Sequence, residues 1–216
     1  MALITISRGS LSGGRAVAEC LADELGYPCL AREILRRAAR NLGASEDVLQ
    51  AKFEATPGLW ARRSRDREQY VLAVQTALAE ACLDGNLVYH GLAGQFLLRD
   101  LPGVLRVRLI APMEFRVRML MDSRHRISEK AAADFIHNVD QDRKRWVKLS
   151  YGVDVADPSL YDLTVNLRSL SLDTACTVIS EAASQPTYEA TEDLKARIAV
   201  YASTCRRRLD EMLGRA

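Results

Sequence analysis

A chain of 216 residues with 48% apolar and 27% charged residues holds enough apolar side chain for one core of ordinary size, with room for an inserted subdomain. Its formal net charge of +2 leaves no electrostatic footprint for a nucleic acid polymer. No apolar run approaches the roughly 18 residues of a membrane span, and MALITIS lacks a charged start before a long apolar stretch, so the expectation is a cytoplasmic protein with no membrane partner. The five cysteines, Cys20, Cys29, Cys82, Cys176 and Cys205, are scattered with no CxxC pair, which favours reduced, mostly buried thiols.

In chain order, short runs rich in branched residues alternate with helical patterns: ALITIS (2–7), YPCL (27–30), NLVYH (86–90), LRVRLI (105–110) and LYDLTVN (160–166). That alternation predicts an α/β fold with a five-stranded parallel sheet covered by helices. The stretch between the second and third runs is too long for one crossover helix and is expected to be a helical insertion, about 31–85. A second helical excursion, about 124–152, separates the fourth and fifth runs. Beyond residue 186, Leu194, Ile198, Tyr201, Cys205, Leu209 and Met212 recur at steps of three and four. They predict a separate amphipathic helix within 187–216, whose stripe is buried either on its own domain or in a homodimer contact.

The first candidate site is ISRGSLSGGRA, a strand running through a glycine-rich turn into a helix. Backbone N–H groups and the helix dipole in such a place favour an anion. Gly9 and Gly14 give the G-x-x-x-x-G spacing of a phosphate loop, but Arg15 stands where its lysine would be and Ala16 where its magnesium-binding Ser or Thr belongs. From these residues alone a glycine-rich turn that binds nothing remains an alternative. The second candidate is the 128–152 helix. Its apolar face, read as Phe135, Val139, Trp146 and Leu149, places Asp142 among hydrophobes, with Arg145 as partner and Arg143 beside Asp140. A solvated, salt-bridged face is the rival reading of VDQDRKR.

Taken together, ITISR and SGGR, VAECLADELGYPCL, AREIL, LRVRLIAPMEFRVRMLM, DQDRKR and YGVDVADPSLYDLTVN resemble the bacterial cytidylate-kinase-like proteins, relatives of the nucleoside monophosphate kinases. The resemblance runs unbroken over residues 2–183. It implies a phosphate-loop kinase domain over 1–186, with the insertion holding a monophosphate and 124–152 acting as a lid. It further implies transfer of the γ-phosphoryl group of ATP, with Mg²⁺, to a nucleoside monophosphate, most naturally CMP or dCMP. Carried over by position, Arg8, Gly9, Ser10, Ser12, Gly13, Gly14 and Arg15 would hold the triphosphate, Ser12 or Ser10 the magnesium ion, and Arg15, Arg143 and Arg145 the reacting phosphate. Arg32, His90, Arg116, Asp140 and Asp142 would face the acceptor.

Departures from the family pattern are equally specific. Anchored on the first strand, the lysine of true cytidylate kinases falls at Gly14 and their first loop glycine at Arg8, so either register lacks the lysine. Ala31 replaces an acid in AREIL, and Leu92 replaces an arginine in HGLAG. These losses keep open a nucleotide-binding regulator without turnover. A kinase with a non-nucleotide acceptor, gripped by Arg62, Arg63, Arg65 and Arg67, is the third reading.

Overall fold

The computed structural model describes residues 2–45, 64–91, 93–124 and 126–215. Five strands, β1 (Leu3–Arg8), β2 (Cys29–Leu30), β3 (Leu87–Tyr89), β4 (Val104–Ile110) and β5 (Leu163–Asn166), form one all-parallel sheet in the order β2-β3-β1-β4-β5. Each expected run supplies a strand. YPCL contributes only its last two residues, since Pro28 has no N–H for a ladder and offers just its carbonyl, which accepts from Val88 N at 2.9 Å.

The described helices are α1 (Gly14–Leu25), α2 (Arg32–Leu42), α3 (Ser64–Ala81), α4 (Gly94–Leu97), α5 (Met113–Ser123), α6 (Glu129–Tyr151), α7 (Leu172–Ala183) and α8 (Glu192–Leu213). Alternation along the strands builds two cores. Ile4, Ile6, Val88, Val107 and Leu109 meet Val17 and Leu21 of α1 and Ile179 of α7. Leu3, Leu87, Tyr89 and Val104 meet α2, α3, α4 and α8 on the other face. Ile4, Ile6 and Leu21 are at most 1% exposed, and each such side chain contributes about 2 kcal/mol of burial free energy. No described helix is long and apolar enough to cross a membrane.

The strand order reverses around β1, whose neighbours are β3 on one side and β4 on the other. The loop that follows β1 therefore lies at the switch point of the sheet, outside the carboxyl ends of the strands, where open α/β sheets bind ligands.

Two expectations are revised here. On α6 the inward residues are Ala132, Ile136, Trp146 and Val147, while Phe135 and Leu149 are 39% and 50% exposed. Steps of four, four, three and four from Ala132 run through Ile136, Asp140 and Arg143 to Val147, so Asp140 shares the face of Ile136 and Val147, while Asp142, likewise part-buried, stands one turn before Trp146. The large apolar residues Phe135 and Leu149 had misled the phase. On α8 the stripe Leu194, Ile198, Cys205 and Leu209, joined by Ala202, is buried within the chain's own core against α3. Arg206 clasps Glu80 at 2.7 Å, and Tyr201 OH donates to Leu97 O at 2.6 Å. The stripe expected as a possible homodimer contact is occupied internally.

The cysteines are free thiols. Packing of α1 on α7 nevertheless brings Cys20 Sγ and Cys176 Sγ within 2.6 Å, a proximity their spacing of 156 residues conceals.

Candidate active site

Loop 9–13 is shaped by two left-handed residues, Leu11 (φ 59°) and Gly13 (φ 78°). Gly13 is the N-cap of α1 and supplies no side-chain cap, so the first N–H groups of that helix have no side-chain acceptor there. With φ 78° at Gly13 any larger residue is strained, and a Cβ there would also press on Leu172 Cδ2 at 2.9 Å. Ser12, wholly buried, donates its hydroxyl to Gly9 O at 3.0 Å. Ser10 Oγ is buried without a partner. This set of uncapped amides and one orphaned hydroxyl fits a phosphate group.

Arg8 occupies the space that a lysine at position 14 would fill. A Cβ on Gly14 would stand 2.4 Å from Arg8 Cδ and 2.9 Å from Arg8 Cβ, so the arginine lies directly across the start of α1. No carboxylate forms a salt bridge with it among the described residues. Burial first, then the neighbouring charges of Arg143 and Arg15, lower its pKa to about 10. A half-buried guanidinium facing another guanidinium is stabilised by an incoming anion. Arg15 is placed differently: its side chain is 75% exposed, and its Nε donates to Glu19 Oε1 at 2.7 Å. That hydrogen bond raises its pKa and holds it along the outer surface of α1.

On the other side of the loop, α5 and α6 supply a clamp. Arg116, 8% exposed, donates through Nε to Ser10 O at 2.7 Å and through Nη2 to Asp140 Oδ2 at 2.5 Å. Asp140 Oδ1 accepts from Ser10 N at 3.1 Å. A Cβ on Gly9 would sit 3.4 Å from Arg116 Cζ, in ordinary van der Waals contact, so the guanidinium lies close against the loop backbone. Arg118, on the same helix, is solvent-exposed. Asp142 and Arg145 pair with each other at 3.7 Å, with Arg145 61% exposed, and so stand outside the clamp.

The carboxyl edge of the sheet carries the remaining candidates. His90 follows β3 and is 9% exposed, and its Nδ1 is buried without a partner. Burial, then the charge of Arg8, pulls its pKa down to about 4, with Arg15 lowering it and Glu19 and Glu33 opposing. The ring is therefore neutral at pH 7. Between pH 6.5 and pH 4 the unfolded chain takes up this proton and the folded one does not, so stability present above pH 6.5 falls as pH is lowered through that window. The expected loss is about 3 kcal/mol, read as a falling urea midpoint between pH 7 and pH 4 that His90→Gln largely abolishes. Arg32 is exposed at the start of α2. Leu92 and His125, and Arg62 and Arg63 of the basic insertion, lie outside the described residues.

Sequence reasoning missed two features. Glu33, two positions after the absent acid at Ala31, turns back to accept from Ala31 N at 3.0 Å and places a carboxylate at the mouth of α2. Tyr161, from DPSLYDLTVN, reaches across to Ser7 Oγ at 3.3 Å and Val155 O at 2.9 Å, and accepts from Gln95 Nε2 at 3.0 Å. Asp162 beside it accepts from Arg106 N at 2.8 Å. The length of that motif was its signal: it ties the segment after α6 to the end of β1, directly below the loop.

Of the two serines expected to face magnesium, Ser12 donates its proton inside the loop, whereas Ser10 Oγ is without a partner, so both oxygens keep lone pairs for a cation and Ser10 keeps in addition a proton for a phosphate oxygen.

The model of the Cytidylate kinase-like family matches residues 3–169, from β1 to just beyond β5. The chain belongs to the cytidylate kinase-like family. Cytidylate kinase of Thermococcus kodakarensis is 27% identical over 196 residues, covering 89% of this chain and 94% of the relative. Cytidylate kinase of Thermococcus sibiricus is 29% identical over 165 residues, covering 76% and 78%. Among solved structures, an uncharacterized protein from Eubacterium ventriosum superposes with a TM-score of 0.66 at 19% identity, covering 84% of this chain and 97% of its own, a likeness of fold. Within the cytidylate kinase-like chain, the clamp of Ser10, Arg116 and Asp140 is assembled entirely inside the matched region, while α8 lies outside it.

Proposed function

We propose that this chain is a cytoplasmic ATP-dependent phosphotransferase of the nucleoside monophosphate kinase kind, with CMP or dCMP as acceptor. The observation that carries the reading is Arg8, a half-buried cation at a phosphate-type loop with no carboxylate in a salt bridge with it among the described residues. Ser10 and Ser12 would be the loop hydroxyls that hold a bound magnesium ion, which would supply charge neutralisation at the triphosphate. Loop amides from 9–14 orient the triphosphate, and Arg8 takes the place of the missing lysine at its terminal phosphates. Arg143, close enough in charge to depress Arg8, brings a second cation from the lid helix. Arg116 holds the loop and the lid together. His90, neutral, and Arg32 line the acceptor side, where the insertion over about 31–85 holds the monophosphate. Arg15, Asp142 and Arg145 act from the rim, through screened charge rather than contact.

The test is product formation with ATP and Mg²⁺ against CMP, dCMP, UMP, AMP and GMP, followed by chromatography. A diphosphate formed from CMP or dCMP in preference to the others supports the reading. No diphosphate from any acceptor, with ATP still bound, makes the chain a nucleotide-binding regulator or a kinase for an acceptor outside that panel.

A further inference from the structure

The carboxylate of Asp140 makes the contacts that a bound anion would make. One oxygen takes the backbone N–H of Ser10, which belongs to the phosphate-type loop, and the other takes the guanidinium of Arg116. Two oxygens of one group on an amide and a forked arginine reproduce the way an edge of a phosphate is held. The group that carries them is not local: it arrives from the middle of α6, 130 residues away in sequence. On the N-terminal side of this point Ala132 and Ile136 of α6 pack on α5 in a small satellite core of their own, whereas Trp146 and Val147, further along, are buried in the main core. The side chain of Asp140 is still 31% exposed, so solvent and solute reach the contact.

We propose that Asp140 is an internal anion that latches the lid helix onto the empty loop, and that the triphosphate binds by displacing it. This rests on the reading of the loop as a triphosphate site. Entry of the ligand transfers Ser10 N–H from the carboxylate to a phosphate oxygen and sets a second negative charge beside the first. Repulsion between them favours release of α6, which couples occupancy of the loop to the position of Arg143, three residues further along the same helix. The latch lowers the observed affinity by the fraction of molecules in which the loop is already filled.

The experiment measures binding of ATP and of inorganic tripolyphosphate to the full chain and to Asp140→Ala, Asp140→Asn and the exposed-site control Asp134→Ala. All are made in a Trp60→Phe background, so that Trp146 on α6 is the only fluorophore of its kind. Asp140→Asn keeps the volume if the alanine variant folds poorly, and circular dichroism separates the two cases. With the latch, both ligands bind Asp140→Ala about tenfold more tightly than the parent, Asp140→Asn falls between, and Asp134→Ala is unchanged. The ligand-induced change in Trp146 emission shrinks in Asp140→Ala, because the helix is released beforehand. Equal or weaker binding by Asp140→Ala, with the parent still binding, overturns the latch and makes Asp140 a residue that helps hold the ligand. Failure of the parent itself to bind either ligand overturns the triphosphate reading, and the latch with it.

Discussion

Replacing Arg8 by alanine is expected to lower phosphoryl transfer by about two to three orders of magnitude, while Arg15→Ala changes it less than about threefold. The difference follows from where the two side chains end. Arg8 lies across the start of α1, half-buried and without a carboxylate in a salt bridge, so its charge acts through a medium that screens it weakly. Arg15 is 75% exposed and already paired with Glu19, so water and that carboxylate absorb most of its field. In the strand-anchored register, positions 8 and 14 have exchanged partners: the charge has moved from the helix start to the strand end, and the glycine has moved the other way. The double substitution Arg8→Gly with Gly14→Lys therefore recovers a large part of what Arg8→Gly alone loses. Gly14→Lys alone is damaging, because its Cβ meets Arg8 Cδ at 2.4 Å. Steady-state turnover of the four proteins decides the matter. If Arg15→Ala were the crippled variant and Arg8→Ala near normal, Arg15 would be the substitute for the lysine.

The second large effect is expected at Arg116, and it combines stability with rate. Arg116→Ala leaves Asp140 without its cation and Ser10 O without its donor, in a site where Arg116 itself is 8% exposed. Stranding polar groups at a half-buried position costs about 2 kcal/mol, and the urea midpoint falls accordingly. The loop also loses the contact that fixes Ser10, so kcat falls by about a hundredfold. Arg116→Lys restores charge but cannot supply the Nε and Nη2 donors together, and it recovers less than half of the lost stability. A lysine variant as stable and as active as the parent would show that the charge alone matters at this position and the fork does not.

Periodicity carried most of the fold. Five short branched runs separated by helical patterns were legible because strand and helix spacing are local properties of the chain, and the loop was legible because its glycines lie between a strand and a helix in sequence. The phase of α6 was not. Phe135 and Leu149 marked a stripe by size, but the helix turns Ile136 onto the flank of α5 and Val147 into the main core and leaves Phe135 and Leu149 39% and 50% exposed.

By itself the sequence determined the order of elements, the parallel sheet, the phosphate-type loop and the absence of its lysine, all of which are written in residue type and local spacing. Tertiary structure alone separated Arg8 from Arg15, which are equally basic in sequence and differ in burial and in the company of Glu19. It also decided that α8 docks on α3, that Asp140 and Arg116 meet over Ser10, and that His90 is a neutral ring. Each of these depends on which surfaces come together across more than 20 residues of chain and on how little water remains between them, and neither quantity has a local signature.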